Sequence, residues 1–309
     1  MNRSWLAMVP AVATLLCAPP AAAQTFALDE NRPNVLWAEI QRPAFKGDQY
    51  LSAWLGFVGV RYQFASQLSV LAGLPFAQAE LAAHDVGGTR VPGATSTALG
   101  NPYVGLRLGL PWQTVAVDAV ISLRLKKPSG PTYDIYGVPH YTSNPVVLAG
   151  VSGDYDRLES FQQAPWSVRA TALFSRKLSG PVSLHLRAGV VLLLGDFPYG
   201  YGYDYGYSYG YGSRAFADLG AAATYESGTT VASAGLTFRT GDGTGQASPQ
   251  GPRPPPWRLS LSIGRRIGQA TPMVFVRLPL GAASPMQART RYVLGAGLTL
   301  RLGKSSSGL

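Results

Sequence analysis

The sequence predicts an all-β fold: an antiparallel transmembrane β-barrel of about 12 strands, with periplasmic N- and C-termini. Three observations predict it. Strand-like segments follow one another through the whole chain behind an N-terminal leader. Their connections alternate in length, with short turns at residues 64–67, 111–114, 179–181, 226–229 and 268–271 and longer polar stretches at 79–98, 126–164, 195–212, 241–256 and 281–289. The charged fraction is 14 %, against roughly 25 % in soluble domains. A surface facing acyl chains explains that deficit, because a charge near the bilayer midplane costs about 2–4 kcal/mol. With both termini on the short-turn side the strand number must be even, and the bookkeeping closes at twelve.

The leader comes first. Asn2 and Arg3 form a short cationic region, residues 5–17 an apolar run, and Ala21-Ala22-Ala23 before Gln24 a small-residue cleavage site. The run is too short for a spanning helix, and Pro10 interrupts it. A lipidation reading of Cys17 conflicts with the bulky Leu16 before it. The chain therefore divides into a cleaved signal peptide (1–23), a periplasmic segment (24–34), an outer-membrane β-barrel (35–302) and a polar tail (303–309). Cys17 is the one cysteine, so disulfide and thiolate chemistry are excluded from the mature chain.

No later segment approaches 18 uninterrupted apolar residues, which excludes helical spanning. The 36 glycines, 24 prolines and 11 % aromatics suit strands and turns. The net charge of +10 raises nucleic acid as a partner, but the arginines stand singly along strands rather than in clusters, so no nucleic-acid partner is expected.

The strands are read from period-two alternation. Residues 35–41 are the poorest strand, and 50–63 is apolar on both faces through 55–60, as either a plug or a narrow lumen would require. Residues 68–76 follow. In 99–110, Val104, Leu106, Leu108 and Leu110 oppose Tyr103, Gly105, Arg107 and Gly109. In 114–125, Val117, Ala119, Ile121 and Leu123 oppose Ala116, Asp118, Val120, Ser122 and Arg124. Residues 166–176 and 229–239 place Arg169 and Arg239 on polar faces, and 182–194 opposes Leu184, Leu186 and Val190 to Ser183, His185, Arg187 and Gly189. Residues 215–225 are alanine-rich and weakly patterned. In 257–267, Arg258, Ser260, Ser262 and Arg266 share a face; 272–280 sends Met273, Phe275 and Arg277 inward; 291–302 does the same with Gly295, Gly297, Thr299 and Arg301.

The run LSVLAGLPF (68–76), the following loop, and ALGNPYVGLRLGL (98–110) resemble the outer-membrane barrels of the phenol-degradation meta-pathway family, as does the closing YVLGAGLTLRL (292–302). Asn101 stands where that family tends to carry aspartate, and the chain ends in a polar tail rather than a terminal aromatic. The resemblance implies uptake of hydrophobic or small aromatic compounds; no spacing in the sequence names a substrate.

The candidate solute path is the set of inward residues Arg107, Asp118, Arg124, Arg169, His185, Arg187, Arg239, Arg258, Arg266 and Arg301. Basic rings favour anions in pores, while arginines can equally crosslink and fill a lumen of this size. Hairpin closure through 111–114 sets Arg107 directly opposite Asp118. Asp118, read as the one carboxylate deep among these arginines, is then expected to neutralise Arg107 and leave Arg124 and Arg187 to set the lumen charge. The expected function is a non-enzymatic channel or transporter-like barrel for small hydrophobic, aromatic or anionic solutes.

Two alternatives stand beside it. Tyr201, Tyr203, Tyr205, Tyr207, Tyr209 and Tyr211 alternate with other residues in a surface loop, which suits either an adhesive aromatic surface or a low-complexity connection. His185 with Ser183 on the same face raises a lipid-modifying enzyme, although no G-x-S-x-G surrounds any serine. With 3 histidines and sparse carboxylates no metal site or cofactor is proposed. The GDGTG run (241–245) lacks the Lys-Ser/Thr of a phosphate loop and reads as a turn. The expected partners are outer-membrane lipid and lipopolysaccharide, the barrel-assembly machinery and small solutes.

Overall fold

A chain whose strands alternate apolar and polar can satisfy every backbone group without an edge only by closing its sheet on itself. The computed structural model, which describes residues 34–46, 51–86, 89–91, 93–109, 115–123, 160–161, 166–194, 214–239, 257–280 and 289–302, takes that solution. The strands are β1 (Val35–Lys46), β2 (Leu51–Gln63), β3 (Leu68–Leu81), β4 (His84–Val86), β5 (Thr89–Val91), β6 (Ala94–Leu99), β7 (Tyr103–Gly109) and β8 (Val115–Leu123). They continue as β9 (Trp166–Ser179), β10 (Val182–Leu194), β11 (Arg214–Ser227), β12 (Thr230–Arg239), β13 (Trp257–Arg265), β14 (Ala270–Leu280) and β15 (Arg289–Arg301). Neighbours pair antiparallel in chain order around the wall, and β1 joins β15 to close it. β4 and β5 form a separate hairpin. β6 and β7 share one position, pairing with successive stretches of β3, so the barrel has twelve strand positions.

Residues 99–110 were expected to be one strand; the structure divides them. Pro102 has no N–H for the ladder. The N–H of Gly100 donates to the Pro75 carbonyl at 2.8 Å, and that of Asn101 to the Ser160 carbonyl at 2.7 Å. A Cβ on Gly100 would lie 2.4 Å from the Ser160 oxygen, so only glycine admits this approach. The expected loop 79–98 is shorter than the sequence implied, because β3 extends to Leu81 and β6 starts at Ala94.

The seam is tied at the short-turn end by Asn34, whose φ of 55° places it in the left-handed region that asparagine tolerates. Its carbonyl accepts the Leu302 N–H at 2.6 Å, and its Oδ1 accepts the Gln63 N–H at 2.8 Å. One residue thus binds the first, second and last strands. Three further turns begin with Gly180, Gly228 and Gly268 at φ 54–60°, the glycine-first geometry of type II′ hairpins. Thr271, expected in the last of these turns, lies in β14.

The two faces differ as alternation demands. Outward side chains such as Leu106, Ile121, Val190, Ile263, Val274 and Leu294 are exposed all round the wall. An apolar band of that extent suits acyl chains, not water. Exposed aromatics flank it: Trp166 and Trp257 toward the long loops, Tyr62, Phe64 and Tyr225 toward the short turns, the girdles of a barrel meeting two interfaces.

Candidate functional site in the lumen

The inward face carries buried polar residues that no soluble core of this size would collect. On β7 and β8, Arg107 pairs in register with Asp118. Its Nε donates to Oδ1 at 2.6 Å and its Nη2 to Oδ2 at 2.6 Å, a planar two-bond fork. The alternation of these two strands dictates that pair, since both residues sit on the face opposite the exposed leucines and valines.

A second fork repeats the device. Arg239 on β12 is in register with Asp218 on β11, its Nε donating to Oδ1 and its Nη2 to Oδ2 at 2.7 Å. Here the surroundings differ. Arg187 of β10 holds its Nη2 4.0 Å from Asp218 Oδ2, and Arg169 of β9 stands within electrostatic range of Asp218, Arg187 and Arg239. Asp118 is therefore not the one deep carboxylate, as the sequence implied: Asp218 and Glu39 are buried too, 2 % and 3 % exposed. Both were missed because their strands, the alanine-rich β11 and the irregular β1, alternate weakly. Nor is Arg187 left alone to set lumen charge, since it shares the neighbourhood of Asp218 with Arg239.

A third network crosses the seam. Arg277 on β14 donates to Glu39 Oε1 and Gln41 Oε1 of β1, each at 2.8 Å. It reaches over β15, where the inward positions facing Glu39 and Gln41 are Gly297 and Gly295. Phe275 lies over Gly295, where a Cβ would come 2.0 Å from the ring, and the Arg277 guanidinium stacks 4.8 Å from that ring's centre. At the short-turn end Arg266 pairs with Glu226 at 2.8 Å in a more solvated setting. Arg258 and Arg301 are half-buried inward residues, and Arg61 of β2 joins them, buried and unforeseen. Arg124 and the tyrosines 201–211 lie outside the described residues.

His185 is held from both flanking strands, one ring nitrogen 2.8 Å from Ser175 Oγ and the other 2.8 Å from Thr224 Oγ1. Two hydroxyls clamp the imidazole between β9 and β11. Among the described residues no group of three or more His, Cys, Asp or Glu could hold a metal.

One sector of the lumen is apolar. Ala53, Leu55 and Phe57 of β2 and Ala77 and Ala79 of β3 cluster with Phe161, which comes from the connection between β8 and β9. Phe161 meets Phe57 edge-on, ring centres 5.7 Å apart, and is 3 % exposed. Phe161 is thus held against the β2–β3 wall, beside Ser160, whose carbonyl accepts the Asn101 N–H at the β6–β7 break. This accounts for the sequence 55–60 being apolar on both faces: one face meets lipid, the other meets Phe161.

No protein-family model matches the sequence, and no curated protein matches it by sequence. Among solved structures, an outer membrane channel from Pseudomonas putida F1 superposes with a TM-score of 0.54 at 11 % identity, over 87 % of this chain and 95 % of that one. Two looser likenesses are the β-domain of the Bordetella autotransporter BrkA (TM-score 0.47, 13 % identity, 87 % and 100 % covered) and the NanC porin (0.46, 8 %, 86 % and 100 %). Only the first is near enough to matter, and at its identity what is shared is the fold: a closed antiparallel barrel of the outer-membrane type.

Proposed function

We propose that this barrel is an outer-membrane channel that passes small solutes, with a preference for anions. The observation that carries the reading is the inward charge. Arg107 and Arg277 each have a carboxylate within hydrogen-bonding distance, but Asp218 is shared among Arg239, Arg187 and Arg169. Fixed cations lining a narrow path lower the barrier to anions and raise it to cations. The apolar sector under Phe161 suits solutes with a hydrocarbon or aromatic part, in keeping with the family resemblance of residues 68–76 and 98–110.

In planar bilayers with a salt gradient across the membrane, the channel is expected to give a reversal potential of anion-selective sign. Cation selectivity, or no conductance, would remove this reading. The leader, the apolar outer band and the aromatic girdles support export and insertion by the barrel-assembly machinery beside lipopolysaccharide, with short turns in the periplasm. An epitope tag at 152–156 should be reachable on intact cells and one at Ser227 should not; the opposite labelling would invert the barrel.

A further inference from the structure

The two forks define how an arginine of this lumen holds a carboxylate: Nε to one oxygen, Nη2 to the other. Arg187 has the same edge to offer. Its Nε is buried and has no hydrogen-bond partner among the described residues. Its Nη2 stands 4.0 Å from Asp218 Oδ2, beyond hydrogen-bonding distance, while each oxygen of Asp218 accepts a hydrogen bond from Arg239. A buried guanidinium with unsatisfied donors is costly, and Arg169 and Arg239 beside it add charge of the same sign. Among the described residues this corner of the barrel gathers three guanidiniums around Asp218, and Arg187 keeps a donor edge already shaped for a carboxylate.

We propose that Arg187, backed by Arg169, is the binding site for the carboxylate group of a solute whose remaining part is apolar. The proposal rests on the channel reading and narrows it to a substrate class. A planar carboxylate repeats the geometry seen twice in this lumen, and arginine is the side chain whose fork matches it. The apolar half of the assignment comes from topology. Around the ring of twelve positions β10, which carries Arg187, stands five positions from β2 and four from β3, so the cluster of Leu55, Phe57 and Phe161 lies on the far side of the lumen from Arg187. A molecule held by its carboxylate at Arg187 turns its hydrocarbon or ring toward that cluster. The Asp218–Arg239 fork acts as a positioning pair, keeping Asp218 from closing onto Arg187.

The test uses the purified chain in detergent micelles at neutral pH, with benzoate as probe, followed by titration calorimetry. Benzoate is expected to bind saturably, acetate and sulfate more weakly, and benzyl alcohol not measurably. Charge-assisted hydrogen bonds set the scale, so Arg187→Gln should weaken benzoate by about tenfold or more, and Arg187→Lys, which keeps charge but loses the fork, by less. The heat-dependent gel mobility of a folded barrel confirms each variant; should Arg187→Gln fail to fold, Arg187→Lys carries the comparison. Equal benzoate affinity in the wild type and the variant overturns the site. Sulfate binding as tightly as benzoate overturns the carboxylate assignment and leaves a general anion filter. Conductance is measured separately: a chain that conducts but does not bind benzoate loses the site and keeps the channel, and one that binds but does not conduct keeps the site and loses the channel.

Discussion

Arg107–Asp118 and Arg239–Asp218 are one device built twice: an arginine and an aspartate in cross-strand register on adjacent strands, joined by the same two atoms of each partner. What differs is the next strand. On the β7–β8 side the neighbours in register with Arg107 and Asp118 are Ser69 and Thr171, both neutral. On the β11–β12 side Arg187 and Arg169 crowd the same carboxylate. The first pair is balanced and crosslinks the wall. The second has two further guanidiniums, Arg187 and Arg169, in its neighbourhood. Two identical local motifs thus do different work because of who stands beside them.

Removing the carboxylate should separate them most. Asp218→Asn leaves three guanidiniums facing one another and is expected to cost about 3–5 kcal/mol, the range for uncompensated buried charge. Asp118→Asn strands one arginine and should cost less. Denaturant titrations of barrels refolded into lipid, read by gel mobility, measure both; equal losses would mean that Arg187 and Arg169 do not feel Asp218 and would break the comparison.

The contrast also presumes that both forks face inward. Leu106, beside Arg107 on β7 but on the opposite face, is 54 % exposed, and Leu106→Arg should cost about 2–4 kcal/mol at the hydrophobic belt. Ser122→Arg, on the inward face of β8, should cost less. A reversed order would turn these strands inside out.

The smallest expected effect has the opposite sign. Arg187→Met removes a like charge whose Nε has no hydrogen-bond partner among the described residues, so stability should be unchanged or rise by up to about 1 kcal/mol, while anion selectivity falls. A loss of several kcal/mol would make Arg187 a structural crosslink like Arg107.

Alternation made much of this legible. Residues 182–194 were readable to their ends, because a strand buried on one face and greasy on the other repeats with period two. The Arg107–Asp118 register followed from the length of one connection, which is local information. Glu39 and Asp218 were hidden for the converse reason: β1 and β11 mix small, apolar and polar residues on both faces, so neither strand announces which side is in.

The chain by itself thus determined the strand ladder, its two faces and the pairing of sequence neighbours, since these depend on side-chain period and turn length alone. Closure decided the rest. Arg277 meets Glu39, 238 positions away, only because β15 lies between β14 and β1 and presents glycines there. Phe161 meets Phe57, more than a hundred positions away, edge-on. Contacts between residues far apart in sequence leave no periodic trace, because their spacing is set by the number of strands in the ring and the tilt that closes it.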